Sequence, residues 1–336
     1  MTSEATVVTS RNGRVGRILL NRPRALNALD LPMLRACAAV LETWRDDPHV
    51  DAVVIEGAGD RAFCAGGDII ALRDAQISGN RPVADEFFRV EYDLNLAIAT
   101  YPKPYIALID GLCMGGGIGM SVHAPYRVAT ERAAFAMPET AIGFFPDIGA
   151  TFLLPRLPGE LGAYLGLTGL RVTGADSVHA GFATHYTPRA RLADLSAALA
   201  QDGPAALAVF SETLPAFSLA GDRTAIDHCF SAATVGEIVR RLDGIGADWA
   251  AAAVKALRRA SPTALHFTLR ALRRGRDLTL KQALDAEFAL TRTTMAYPDF
   301  AEGVRAMVVD KDRSPAWLPA RIEEVDPIQI DALFAE

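Results

Sequence analysis

Two glycine clusters and two carboxylates carry the chemistry open to this chain. The first cluster is Ala65-Gly66-Gly67-Asp68, which follows a continuous apolar run at Ala52–Glu56. The second is Gly115-Gly116-Gly117-Ile118-Gly119, which follows the run Tyr105–Ile109. Glycine lets a backbone N–H approach a ligand closely, and the first turn of a helix aims several N–H groups one way. One such cluster is more often a turn or a helix-packing contact than a ligand site. Two of them, each closing a buried strand, suit one oxygen atom held by main-chain donors, an oxyanion hole. The second cluster does not have G-x-G-x-x-G spacing, and no acid follows where a dinucleotide site needs one. A phosphate loop is excluded, because neither cluster is followed by Gly-Lys-Ser/Thr.

The carboxylates lie in Met137-Pro138-Glu139-Thr140-Ala141-Ile142-Gly143-Phe144-Phe145-Pro146-Asp147. Glu139 and Asp147 thus sit among Ile, Phe, Pro and Gly, where acids are rare unless wanted. Partial desolvation raises a carboxylate's pKa and makes the ionised form a better base or nucleophile. The bland alternative stands level with this on the segment alone: two loop acids facing water, or pairing with Arg132 or Arg156.

Other candidates are weaker. The histidines form neither a His-Glu-x-x-His pair nor a Cys/His cluster, so no metal site is expected. Gly119-Met120-Ser121-Val122-His123 matches a nucleophile elbow only in part: the last glycine is missing and the serine falls within a helix. Cys64 reads as a small buried residue. Arg11, Arg14, Arg17, Arg22 and Arg24 read as a solvated strand edge before they read as phosphate contacts.

Alternating elements must position these residues. Val15–Leu20, Ala52–Glu56, Tyr105–Ile109 and Tyr126–Ala129 are short, apolar and β-branched, as buried strands are. Between them, Asp30 caps a helix carrying Leu34, Cys37, Ala38, Leu41 and Trp44, and Phe87–Ala99 reads as another. Strands separated by helices predict a largely parallel α/β arrangement. After about residue 190 strand signals cease. Ser261-Pro262 starts a helix and Thr279 with Gln282 forms a capping box. The tail from Ser314, with Pro315, Pro319 and Pro327, reads as a wrapping segment. No internal repeat or long linker is evident.

Composition sets the bounds. The chain has 336 residues, and half of them are hydrophobic, which rules out global disorder. A net charge of −6 without a dense basic block argues against nucleic-acid binding. The 4 cysteines form no C-x-x-C pair or disulfide framework, which fits a reducing compartment. No secretory signal and no apolar run of about 18 residues is visible, so a cytoplasmic protein without a membrane partner is expected.

The ordered motifs resemble a family. Asn21-Arg22-Pro23 with Ala25-Leu26-Asn27-Ala28-Leu29, then Ala62-Phe63-Cys64-Ala65-Gly66-Gly67-Asp68, then Asp110-Gly111 with the glycine triplet, resemble the crotonase (enoyl-CoA hydratase/isomerase) superfamily. Met114–His123, Arg127-Val128-Ala129-Thr130-Glu131 and the Pro138–Asp147 segment look most like its 3-hydroxyisobutyryl-CoA hydrolase branch. The similarity runs on through Ser261-Pro262-Thr263 and Asp299–Ala306 to Asp310-Lys311-Asp312-Arg313-Ser314-Pro315, nearly the whole chain.

The resemblance implies an α/β crotonase-like spiral of ββα units with a C-terminal helical region packed on it. It implies residues 1–200 as the core with the acyl-CoA site and 201–336 as a helical region completing the pocket. The thioester carbonyl would lie between the N–H groups of Gly67 and Gly116. Glu139 matches the family's catalytic glutamate and Asp147 its second acid. Glu91 matches a substrate-contacting glutamate. Ala25, Leu26 and the Ala62–Ala65 segment would follow the CoA pantetheine, Asp68 would join the substrate-binding residues, and Arg24 is a weaker phosphate contact. Coenzyme A enters as part of the substrate, so no cofactor is implied, and valine breakdown is the implied setting. A homo-oligomer accords with the superfamily. Hydratases of the family commonly carry a second glutamate where this chain has Gly119, so hydrolysis is favoured over hydration. A hydratase or isomerase, and a non-catalytic acyl-CoA-binding scaffold, remain alternatives.

Overall fold

The computed structural model describes residues 5–334. By internal contacts the chain divides into two compact units. Unit 1 takes the residues up to Asp68, then Val90–Phe135 and Val172–Ser218. Unit 2 takes Ile69–Arg89, Ala136–Arg171 and the chain from Leu219 onward. The division is therefore not a single cut near residue 200. Two segments from the first 200 residues belong with the helical C-terminal part.

Unit 1 holds the strands. β1 (Val7–Asn12) and β2 (Val15–Leu20) form an antiparallel hairpin. β2 then pairs in parallel with β3 (Ala52–Gly57), with Val15 opposite Ala52 and Leu20 opposite Gly57. β3 is followed at once by β4 (Ala62–Cys64). The next turns repeat that step: β5 (Tyr105–Ile109) leads into β6 (Leu112–Met114), and β7 (Tyr126–Ala129) into β8 (Ala134–Ala136). β9 (Val172–Thr173) and β10 (His185–Tyr186) complete two sheets, ordered β1-β2-β3-β5-β7-β10 and β4-β6-β8-β9. Each turn of the chain thus lays one strand in the large sheet and the next in the small one. This is the spiral implied above. The repeat is one of topology, without a repeated sequence.

The four longer parallel strands are mostly apolar because both faces of the sheet are covered, with Arg17, Glu56 and Arg127 as the charged exceptions. Val15, Ala52, Val54, Ile106, Leu108 and Val128 point to one face, where Leu195, Leu199, Ala206 and Leu207 cover them. The alternate positions, Val53, Ile55, Tyr105, Ala107 and Ile109, are equally buried on the other. The helix Leu31–Arg45 buries Met33, Leu34, Cys37, Leu41 and Trp44. The Trp44 ring packs so tightly on Gly16 that a Cβ there would lie 2.6 Å from it. Full burial of each Val, Leu or Ile contributes roughly 1.5–3 kcal/mol.

Helix starts follow their caps. Asp30 accepts the Met33 N–H at 2.9 Å, Ser261 accepts the Ala264 N–H at 3.0 Å, and Thr279 with Gln282 forms the expected capping box. The helix expected from Phe87 begins earlier, at Arg81, because Pro82 is tolerated in a first helical turn. In unit 2 the helix Pro262–Gly275 is largely buried, and the tail wraps around it. Trp317 Nε1 donates to Arg259 O at 3.0 Å, and Arg274 Nη1 donates to Phe334 O at 2.8 Å.

Candidate active site

In unit 1 the two glycine clusters come together. The loop after β4 is stitched to residues 26–29 by three backbone bonds: Ala65 N to Leu26 O at 3.0 Å, Leu29 N to Gly66 O at 2.8 Å, and Asp68 N to Leu29 O at 2.8 Å. These engage the amides of Ala65 and Asp68 and leave Gly67 between them. Gly116 is the first residue of the four-residue helix Gly116–Gly119, so its N–H lies outside the intrahelical ladder. A Cβ on residue 116 would lie 3.3 Å from Gly67 N and 2.4 Å from Glu91 Oε1. A Cβ on Gly66 would lie 3.6 Å from Gly116 N. Only glycine lets these strands of backbone approach so closely with Glu91 beside them.

Glu91 is buried on the helix Arg81–Ala99, one turn from the buried Asn95. Leu26 and Asn27 have left-handed backbones, at φ 53° and 57°. The Asn27 side chain holds them there by donating to Ala58 O and Ala62 O, both at 2.9 Å. Leu26 and Ala65 are therefore neighbours, as a common ligand path requires. Ala25 and Arg24 are exposed on the adjoining 3-10 turn.

Several residues are engaged in structural contacts. Asp68 pairs with Arg22 at 3.3 Å. Arg22 also donates to Ala28 O at 2.7 Å. Arg17 pairs with Glu56 at 2.6 Å on an interior strand, and Arg14 pairs with Asp51. Arg17 and Arg22 are thus partly buried, while Arg11 on the edge strand β1, Arg14 and Arg24 are exposed, as a solvated edge would be. The Ser121 hydroxyl donates back to Gly117 O and Ile118 O, both at 3.1 Å, which removes the elbow reading. Burial pushes the Cys64 thiol up to about 12, so it is inert. Among the described residues no group of three His, Cys, Asp or Glu side chains is placed to hold a metal ion. No helix among them is long and apolar enough to cross a membrane.

In unit 2 both acids are buried, each 6% exposed, so neither is a loop acid facing water. Arg132 pairs with Asp110 at 3.8 Å. Arg156 donates to four backbone carbonyls, those of Phe152, Gly275, Arg276 and Leu278. Glu139 opens the 3-10 turn Glu139–Ile142. That turn is pinned on several sides. Phe144 N donates to Glu139 O at 3.0 Å, Ser261 N to Thr140 O at 3.0 Å, and Thr140 Oγ1 to Leu167 O at 3.1 Å. Behind it, Ser261 Oγ donates to the buried Asp299 at 2.5 Å. Burial raises the Asp299 carboxyl, against the pull of that hydrogen bond. Phe144 stacks on Phe88 with centroids 5.7 Å apart and meets Phe145 at 4.7 Å, which gives the segment an apolar wall.

Asp147 opens a turn that contains Ile148 at φ 58° and Gly149 at φ 81°. Here the sequence reading missed a residue. Glu287, on the helix Leu280–Thr294, accepts from Gly149 N at 2.7 Å, Thr151 N at 2.9 Å and Thr151 Oγ1 at 2.5 Å. Burial pushes its carboxyl up to about 8; the Thr151 and Gly149 hydrogen bonds oppose this and the Asp147 charge adds to it. One sequence signal was available. Glu287 lies on the stripe Ala283, Leu284, Leu290, Thr291 that the helix buries.

The fold and these loops define a class. The enoyl-CoA hydratase/isomerase family profile matches residues 15–334, and the chain belongs to that family. It is 45% identical to the 3-hydroxyisobutyryl-CoA hydrolase, mitochondrial, of Rattus norvegicus, over 99% of this chain and 89% of that protein. It is 44% identical to the Homo sapiens protein of the same name, over 95% and 86%. Two solved structures superpose closely. One is a carnitinyl-CoA dehydratase from Mycobacterium thermoresistibile, with a TM-score of 0.95 and 39% identity over 99% of this chain and 97% of that one. The other is an enoyl-CoA hydratase from Rhodobacter sphaeroides 2.4.1, with a TM-score of 0.93 and 43% identity over 98% and 97%.

Proposed function

We propose that the protein hydrolyses a short hydroxyacyl-CoA thioester, 3-hydroxyisobutyryl-CoA, to 3-hydroxyisobutyrate and CoA. The observation that carries this is the close approach of the Gly67 and Gly116 loops beside a buried glutamate. The reading is supported by the hydrolase relatives, which align over nearly the whole chain. The two amides receive the thioester oxygen and stabilise its developing charge, each well-placed donor contributing on the order of 3 kcal/mol. Glu91 meets the substrate hydroxyl, and Leu26 and Ala65 follow the pantetheine arm.

Glu139 supplies the carboxylate for the acyl carbon. It either attacks to form a mixed anhydride, with the C–S pair leaving as CoA thiolate, or takes a proton from the attacking water. In the first route water then opens the anhydride and returns Glu139. Both routes consume one water and release a carboxylic acid and a thiol. Asp147 orients or deprotonates that water. Oxygen-18 from water enters Glu139 during single turnover only by the anhydride route. The protein works in a reducing compartment; a cytoplasmic site and a homo-oligomer remain part of the proposal.

The solved relatives named hydratase and dehydratase favour a second reading, hydration of an enoyl-CoA. Gly119, which brings no acid to the helix after the glycine triplet, weighs against it. A panel of acyl-CoAs decides. Release of free thiol from 3-hydroxyisobutyryl-CoA, abolished in Glu139→Gln, is the expected result. Loss of enoyl absorbance without thiol would replace hydrolysis with hydration. A Glu139→Gln protein unchanged in every property would point to a scaffold.

A further inference from the structure

We infer that Glu287 is a positioning residue that holds Asp147 in its working orientation by clamping the turn Asp147 begins. The inference rests on the role given to Asp147 above. The turn has two successive left-handed residues, Ile148 and Gly149. A β-branched residue avoids that conformation, because its Cβ crowds the neighbouring carbonyl. Such a backbone persists only where its surroundings over-determine it, and it clusters at functional sites. The surroundings here are the Ala150 N bond to Asp147 O at 2.8 Å and the three bonds to Glu287. Both carboxylate oxygens of Glu287 are spent on this one turn.

Stability alone does not account for the choice of an acid. Glu287 is 1% exposed, and the charged group acting on it is Asp147, itself buried. Two buried carboxyls near one another oppose each other's ionisation, and a neutral residue would avoid that conflict. A neutral amide cannot make the same clamp. Three donors converge on Glu287, and the glutamine NH2 would face one of them, donor against donor. An acid turns an oxygen toward each of the three donors whether or not it carries a proton, which an amide NH2 cannot do, and the turn so held is what aims Asp147.

The test is a double-mutant cycle in thiol-release kinetics, with wild type, Glu287→Gln, Asp147→Asn and the double variant. Glu287→Gln is expected to lower kcat about tenfold or more with KM within about twofold, because binding is not what it serves. In the Asp147→Asn background the same change should cost less than about twofold, since its target is already gone. Equal kcat in Glu287→Gln, or the same fold-loss in both backgrounds, overturns the inference. Full activity in Asp147→Asn alone would instead remove Asp147 from the mechanism. Should Glu287→Gln not fold, Thr151→Val keeps the carboxylate and deletes one bond. It should lower kcat about threefold at unchanged KM, again only when Asp147 is present. Unchanged kcat there also overturns the inference.

Discussion

Gly116→Ala isolates the main-chain site. Gly116 is not among the left-handed glycines, so alanine fits its backbone without strain. What changes is space. The new methyl would lie 2.4 Å from Glu91 Oε1, against an ordinary contact of roughly 3.5 Å. The carboxylate must therefore retreat by about 1 Å within a packed interior. The methyl would also lie 3.3 Å from Gly67 N, crowding the second amide. Losing one oxyanion donor costs about 3–4 kcal/mol, or 10²–10³ in kcat. Thiol release from 3-hydroxyisobutyryl-CoA measures the loss, and a thermal melt checks the fold. Gly116→Ala combined with Glu91→Ala tells the two effects apart. If the damage is to the amides, the double variant stays slow; if it is only the displaced carboxylate, kcat returns to that of Glu91→Ala. A Gly116→Ala kcat within about threefold of wild type would refute the oxyanion reading.

Two further outcomes are expected. Glu287 has its carboxyl raised from the ordinary 4.5 to about 8, so between those values the folded chain holds a proton that the unfolded chain releases. Its contribution to stability is complete below the lower value and is lost as pH rises through the upper one. From about pH 5 to about pH 8, urea midpoints of wild type should fall more than those of Glu287→Gln, by on the order of a few kcal/mol in stability; parallel falls would show that the shift is absent. All four cysteines are buried, and burial pushes the Cys37 and Cys64 thiols up to about 12. A thiol reagent at neutral pH should leave the folded protein unmodified and label it after denaturation. Rapid labelling of the native state would contradict the burial and would also spoil the thiol-release assay.

The parts legible in sequence share one property: their signal is local. β2, β3, β5 and β7 are dominated by apolar residues because both faces of a parallel sheet are covered, and such a bias needs no knowledge of partners. Asp30, Ser261 and Thr279 announce helix starts because a cap bonds within one turn. The glycine clusters and the acids of the Glu139–Asp147 segment stood out because each breaks the pattern around it. β4, β6 and β8 were not legible, since three residues show no periodicity. Glu287 shares the apolar stripe of its helix, but a glutamate ordinarily turns its head to water, and only packing shows the donors that hold it inside.

Sequence by itself therefore determined the parallel α/β class, the candidate glycines and acids, and the likeness to a family of acyl-CoA enzymes. Tertiary structure decided that Gly116 must lack a side chain, because Glu91 and Gly67 occupy the space one would need. It decided that residues 69–89 and 136–171 belong with the C-terminal helices. It also brought a carboxylate from position 287 to the turn at 147–151. The physical reason is common to all three: close approach between residues far apart in the chain is set by the packing of whole elements, and no short stretch of sequence records it.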